Sequence, residues 1–307
     1  MKIVIGVVLI LTFLFQAVAQ RFPDRFSTFN PLSEQDGLSS DNGLQWMYST
    51  GGWGEFAAYR GVRDQEHAWL QRLGGYLEMI RIGNGVSLSF LSTIEFIANP
   101  HNDIRFNPRA IVWEEGFLYT IRSERNFWQI GYFHRCKHDV DSFLTGTERS
   151  LIFGSLQGKF LIPFSTNAGS TQGLFVIRTD LFTIRQDDRI PTSTSQNGLN
   201  MKRAIGSFGV IAHVRTQLRD PVFGLYLSAW SSMTAYSGRE GLLNRFGALE
   251  SATLNGGLTS GIAVQGNAHF RIGVTYEYLS DTGIDVIPRH AGLLSFGIVI
   301  LNPSSMW

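Results

Sequence analysis

From about residue 44 onward the chain alternates apolar and polar residues with a period of two, in one segment after another. Val86, Leu88, Phe90, Ile94 and Phe96 share one parity, with Ser87, Ser89, Thr93 and Glu95 on the other. Ala204, Phe208, Val210, Ala212 and Val214 oppose Arg203, Ser207, His213, Arg215 and Gln217. Phe223, Leu225, Leu227 and Ala229 oppose Gly224, Tyr226, Ser228 and Trp230. Phe270 to Tyr278 oppose His269, Arg271, Thr275 and Glu277, and Leu294, Phe296, Ile298 and Ile300 close the series. A helix would repeat every 3.6 residues, so a period of two sustained over these lengths predicts strands.

The apolar face of these strands is expected to point outward. The polar faces hold charge (Glu95, Arg215, Arg271, Glu277) rather than the solvating mixture of a soluble exterior. The connections also fall into two classes that take turns. Tight turns are expected near Gly83–Gly85, Ser123–Arg125, Ser165–Gly169, Arg219–Pro221 and Gln265–Asn267. Longer loops are expected near Gly61–Glu66, Asn99–Asn107, His138–Glu148, Asp187–Asn200, Gly238–Leu249 and Asp281–Ala291. Short turns at one end and long loops at the other, joining strands of about 9–11 residues with one apolar face, mark a transmembrane β-barrel. The fold class is therefore all-β: an antiparallel up-and-down barrel of about twelve strands, the first running through Gln45 to Tyr59. Ten or fourteen strands stay open, because the segments around Glu114-Glu115 and Arg178–Asp180 alternate poorly.

The N-terminus adds the compartment. Met1-Lys2, an apolar run from Ile3 to Phe15 and Ala17-Val18-Ala19 read as a secretory signal cut after Ala19. The organisation is then a signal peptide over 1–19, a polar periplasmic arm over 20–42 and a barrel over 43–307. An even strand count puts both termini in the periplasm of a Gram-negative-type envelope. The chain ends on Trp307, like the terminal aromatic of the outer-membrane assembly signal, although Pro303 interrupts the final strand pattern.

Composition changes the picture little. The 33 Gly, 23 Phe and 7 Trp suit a curved sheet with aromatic girdles. With 26 Lys and Arg against 25 Asp and Glu, the chain has no basic field to hold nucleic acid. Outer-membrane lipids are the expected surroundings, with a partner barrel or a second copy of the chain as possible neighbours. Cys136 is the only cysteine, so no disulfide can form within the chain.

Candidate chemistry gathers around that cysteine. In the segment 127–139, Trp128, Ile130 and Tyr132 share the lipid-facing parity, and His134 and Cys136 continue it. Gln129, Gly131, Arg135 and Lys137 face the lumen. Residues i and i+2 of a strand lie about 7 Å apart on one face, a span over which a base and a nucleophile can meet. Glu148, at the start of the next strand, has the outward parity and could orient the imidazole of His134.

The run Gly131-Tyr-Phe-His134-Arg-Cys136, with Glu148 fourteen residues after the histidine, resembles the outer-membrane phospholipase A pattern. That resemblance implies a twelve-stranded barrel with an outward His-x-Ser pair, an orienting Asn on the following strand and calcium-dependent activity in a dimer. His134 stands where the catalytic His does; Cys136 replaces the Ser and Glu148 replaces the Asn. The same stretch, through His134, Cys136, His138 and Asp139, equally resembles a His…Ser-Ser-His motif of outer-membrane barrels of unknown function, which implies no activity. Packing of an interfacial His and a small Cys against lipid or a neighbouring barrel explains these residues without chemistry.

Other signals are weaker. Asp139 and Asp141, with Thr145 and Thr147, could supply oxygen ligands to calcium, though a solvated acidic loop explains them as well. His134 and His138 have zinc-pair spacing only on a helix; on a strand they stand about 13 Å apart. Glu114-Glu115 is read as a bulged strand with lumen-facing charge. His213 with Arg215, and Arg271 with Glu277, are read as lumenal ion pairs. The expected role is a structural or interaction subunit of an outer-membrane complex. One alternative is a phospholipase-like acyl hydrolase using His134, Cys136 and Glu148; a second is a small-solute channel.

Overall fold

The computed structural model describes residues 28–33, 43–60, 67–98, 108–139, 150–166, 170–187, 203–219, 222–237, 251–266, 268–280 and 290–301. Twelve strands follow one another in chain order: β1 (Leu44–Arg60), β2 (Trp69–Ile82), β3 (Val86–Ala98), β4 (Pro108–Ser123), β5 (Asn126–Asp139) and β6 (Ser150–Ser165). The second half comprises β7 (Thr171–Asp187), β8 (Arg203–Gln217), β9 (Phe223–Ser237), β10 (Ser251–Gln265), β11 (His269–Leu279) and β12 (Ala291–Leu301). Each pairs antiparallel with its sequence neighbours, and β12 returns to β1 through Trp53↔Leu301 to Arg60↔Leu294, closing the barrel. Closure leaves no strand edge, the condition a sheet must meet to lie in lipid.

Alternation sorts the side chains as the sequence pattern requires. Phe223, Leu225 and Leu227 of β9 are exposed on the outer wall, while Gly224, Tyr226, Ser228 and Trp230 are buried inside. On β11, Ile272, Val274, Tyr276 and Tyr278 face out, whereas His269, Arg271, Thr275 and Glu277 face in. Large apolar side chains thus cover the outside and polar ones line the inside, the reverse of a soluble protein. Local irregularities shift this order at defined points. A bulge at Ile205, between the pairs Ala204↔Tyr236 and Gly206↔Ala235, turns Ala204 inward. Ala204 packs there with Phe153, Phe182 and Tyr236, so it leaves the outward parity expected for it. No bulge interrupts β4 at Glu114-Glu115, where the pairing to β3 and β5 is continuous.

The ends of β1 and β12 lie together with the tight turns. Leu44 pairs with Ile82 beside the β2–β3 turn, and Leu301 pairs with His269 beside the β10–β11 turn. Of the stretch 20–42, expected as an arm, the structure describes residues 28–33, and these run inside the barrel at this turn end. Phe29 packs on Tyr76 at 4.5 Å between ring centroids, together with Leu118, Phe133 and Leu301. Leu32 is buried among Phe127, Leu161 and Leu174. Lumen-facing donors take up the segment's carbonyls. Arg81 donates to Pro31 O, Arg122 to Leu32 O, and Gln129 to Phe29 O at 3.0 Å. Thr28 Oγ1 meets His213 Nε2 at 3.0 Å across the bore. A backbone buried this deeply would otherwise lose its hydrogen bonds to water, so these donors are what make the position tenable.

Candidate functional site

The outer wall of β4–β7 carries the residues singled out around Cys136. On β4 and β5 the wall is aromatic near the turn: Phe117, Tyr119, Trp128 and Tyr132 are all exposed. Farther from the turn it becomes polar. His134 and Cys136 keep the outward parity of Tyr132, and both are half-buried. Arg135 points inward and pairs with Glu114 at 3.6 Å, while Lys137 is buried in the lumen. The expected outward placement of the His-x-Cys pair is therefore what the barrel presents.

The neighbours of that pair come from both sides. Glu115 on β4 lies directly opposite His134, and Trp113 lies opposite Cys136. On β6, His134 faces Gly154 and Cys136 faces Ile152. Cβ atoms of directly opposed residues stand about 4.5–5.5 Å apart. Glu115 has the parity of Trp113 and Phe117, so it belongs to the outer wall, not to the lumen where both glutamates were expected. Only Glu114 faces inward. The acid beside His134 thus comes from the preceding strand. Glu148, Asp141 and the side chain of Asp139 lie outside the described residues.

A second outward feature adjoins the pair. Between Gly154↔Ile184 and Ser155↔Phe182, β7 has one extra residue, Thr183, which is exposed on the wall. Tyr132 reaches over Gly154 so that its hydroxyl meets Thr183 Oγ1 at 3.1 Å. Any side chain on residue 154 would collide with the Tyr132 hydroxyl, so this close approach needs glycine. The result is a polar patch in an apolar wall, made of Glu115, His134, Cys136, Tyr132 and Thr183. Such a patch can hold a polar lipid group or a polar partner residue between the aromatic side chains of the wall. Among the described residues, no group of three or more His, Cys, Asp or Glu side chains is arranged to hold a metal.

The lumen behind this wall is crowded with paired charge. Arg72 donates to Glu55 and Glu95, each at 2.9 Å, with all three side chains buried. Arg81 pairs with Glu78 at 2.7 Å, and Ser49 donates to the same carboxylate at 2.8 Å. Arg178 pairs with Asp180 at 2.7 Å, and Asp180 also accepts from Ser155, Gln157 and Ser207. Two expected ion pairs are not formed. His213 is held instead by Thr28 and Ser228, and Arg215 donates to Gln172 at 3.1 Å. Arg271 lies over the ring of Tyr226, 5.4 Å from its centroid. Glu277 is six residues along the strand, about 20 Å away, and its charge acts on Arg72.

No family model matches the chain, and no curated protein matches it in sequence. Solved barrels resemble it in architecture. LpxR from Salmonella typhimurium aligns at 7% identity and a TM-score of 0.45, covering 82% of this chain and 99% of that one. Outer membrane phospholipase A from Escherichia coli aligns at 12% identity and a TM-score of 0.43, covering 82% and 92%. An outer membrane channel from Pseudomonas putida aligns at 10% identity and a TM-score of 0.43, covering 87% and 97%. At these values they bear on neither site nor substrate.

Proposed function

We propose that this chain is a bacterial outer-membrane barrel, closed to solutes, that works through its outer wall as a structural or interaction subunit of a membrane complex. The observation that carries the reading is the segment 28–33 inside the bore, with Phe29 and Leu32 packed against the lumenal wall and its carbonyls taken up by Arg81, Arg122 and Gln129. A conducting pore needs that path free, and paired side chains such as Arg72 with Glu55 and Glu95 narrow it further. What remains for function is the wall and the loops. The turn end, where β1 begins and β12 ends, is the periplasmic side in this reading.

The test is site-specific photocrosslinking in native membranes, with a photoreactive residue in place of Phe117 or Trp128 on the wall and of Arg125 at a turn. A discrete crosslinked species from the wall positions alone supports a barrel-to-barrel contact, and its mass separates a second copy from another protein. Wall positions that crosslink only to lipid would overturn the interaction reading.

A second reading rests on Glu115 beside His134 and on Cys136 two residues further along the same outward face. In an acyl hydrolase, His134 takes the thiol proton as Cys136 attacks a phospholipid ester carbonyl. The alkoxide of the lysophospholipid leaves with that proton, and water then hydrolyses the thioester to a free fatty acid. Glu115 orients the imidazole and balances its charge, the place first given to Glu148. Fatty-acid release from phospholipid that disappears in Cys136→Ala and His134→Ala, and falls in Glu115→Gln, supports this reading; no release with or without calcium sinks it.

A further inference from the structure

Charge is distributed unevenly around the barrel. Strands β8, β9, β10 and β12 contain no aspartate or glutamate, and β11 contains only Glu277. Yet this part of the wall points Arg215, His269 and Arg271 into the lumen. Arg215 and Arg271 both lie close enough to act on His269 electrostatically, and Arg215 acts on Arg271. Arg271 is only 8% exposed and has no ion pair among the described residues. Its one marked contact is the Tyr226 ring, and no carboxylate is among the groups that act on it.

Two buried polar atoms beside these cations lack hydrogen-bond partners. His269 Nδ1 is buried with no hydrogen-bond partner among the described residues, and so is Gln265 Nε2 opposite it on β10. His269 is 7% exposed. Arg215 spends one N–H on Gln172 and leans toward Gly224. The wall between the cations is cut down to small residues, Gly224 and Ala263, in the rows between Gln217 and Arg271. Tyr226 reaches across to Gly273, where a side chain would meet its hydroxyl. Gln265 and His269 flank the β10–β11 turn, so the cluster sits at the rim of the turn end, beside the segment that fills the bore.

Convergent guanidinium and amide donors with no acceptor are what an oxyanion requires. Arginine presents its N–H groups in a planar fork that fits phosphate oxygens two at a time. We propose that this rim is a binding site for a phosphate-type oxyanion, free or carried by a small solute, with Arg271 and Arg215 as its principal ligands and Gln265 and His269 completing the donor set. A phosphate there supplies counter-charge to Arg215 and Arg271, an acceptor to Gln265 Nε2, and an acceptor to His269 Nδ1 in the tautomer that carries the proton there. The site lies at the turn end, beside Gln265 and His269, and needs no conduction through the barrel.

Equilibrium dialysis of radiolabelled inorganic phosphate against the full chain in a zwitterionic detergent tests this directly. The expected result is one saturable equivalent per barrel, weakened at least tenfold in Arg271→Gln and in Arg215→Gln and unchanged in Arg125→Gln at the exposed β4–β5 turn. Arg271→Lys keeps the charge without the fork and is expected to lose part of the binding. Displacement by glucose 6-phosphate at comparable concentration would extend the site to phosphate carried by a solute; displacement by free phosphate alone would restrict it to the ion. Absence of saturable binding by the wild-type chain overturns the proposal, as does binding that survives in both arginine-to-glutamine variants.

Discussion

Arg72, Arg81, Arg135 and Arg178, on β2, β2, β5 and β7, each meet a carboxylate inside the barrel. Arg215 and Arg271, on β8 and β11, meet none among the described residues. The same fold and the same inward parity therefore hold buried arginine in two different ways. On β1–β7 acid is supplied by the strands themselves, through Glu55, Glu78, Glu95, Glu114 and Asp180, and Arg122 on β4 is held instead by Leu32 O and the Phe127 ring. On β8–β12 the only strand acid is Glu277, whose charge acts on Arg72, and the wall beside Arg215 and Arg271 is reduced to glycine, alanine and an overlying tyrosine. A lumen whose cations are held by its own acids and by the segment it encloses is a structural interior; a lumen with cations left over is poised for something that brings an anion.

The largest effect expected from this contrast is at Arg72. Arg72→Ala leaves Glu55 and Glu95 buried without their cation, which costs about 3–5 kcal/mol. Denaturant unfolding of the refolded barrel in lipid vesicles reads that loss. Next is the segment in the bore: Phe29→Ala removes the ring packed against Tyr76 and Leu118 and is expected to cost about 3 kcal/mol in the same assay. Gly154→Ala forces the Tyr132 hydroxyl off Thr183 and is expected to cost about 1.5 kcal/mol, the worth of that hydrogen bond. The smallest effect has the opposite sign. In phosphate-free buffer Arg271→Gln relieves repulsion from Arg215 and is expected to raise stability by about 1 kcal/mol. If Arg271→Gln and Arg72→Ala destabilise the barrel equally, the contrast between the two halves fails.

Most of the barrel is legible in the sequence because a strand's side-chain period is fixed at two and lipid demands one apolar face. Phe223 to Ala229 and Phe270 to Tyr278 could be assigned to the wall from parity alone. Parity fails where the backbone inserts a residue, and nothing in the run of letters around Ile205 or Thr183 announces the bulges that turn Ala204 inward and put Thr183 on the wall. Glu115 is a different kind of miss. It shares parity with Trp113 and Phe117, so its outward direction could be read, but an acid within an aromatic row looks like a break in the pattern. Parity points to Glu148 on the following strand as the acid for His134, whereas pairing to the preceding strand is set by the register of the β4–β5 turn. Residues 28–33 could not be placed from their own letters. Pro31 and the polar Thr28, Asn30 and Ser33 look like an arm, and Arg81, Arg122, Gln129 and His213, far apart in sequence, make a place for them in the bore.

The ion pairs inferred from proximity in sequence illustrate the same limit. Arg271 and Glu277 share a strand face, yet six residues of extended backbone separate them by more than any side chain can span. Arg178 and Asp180, two residues apart on one face, do pair.

The central claim is that the barrel is closed by its own residues 28–33, and single-channel recording in planar bilayers tests it most directly. The full chain is expected to insert without unitary conductance steps, whereas Phe29→Asp with Leu32→Asp, which expels the segment from its apolar seat, is expected to produce steps that favour anions because of Arg215 and Arg271. Steady conductance from the unaltered chain, unchanged by those two substitutions, would contradict the account.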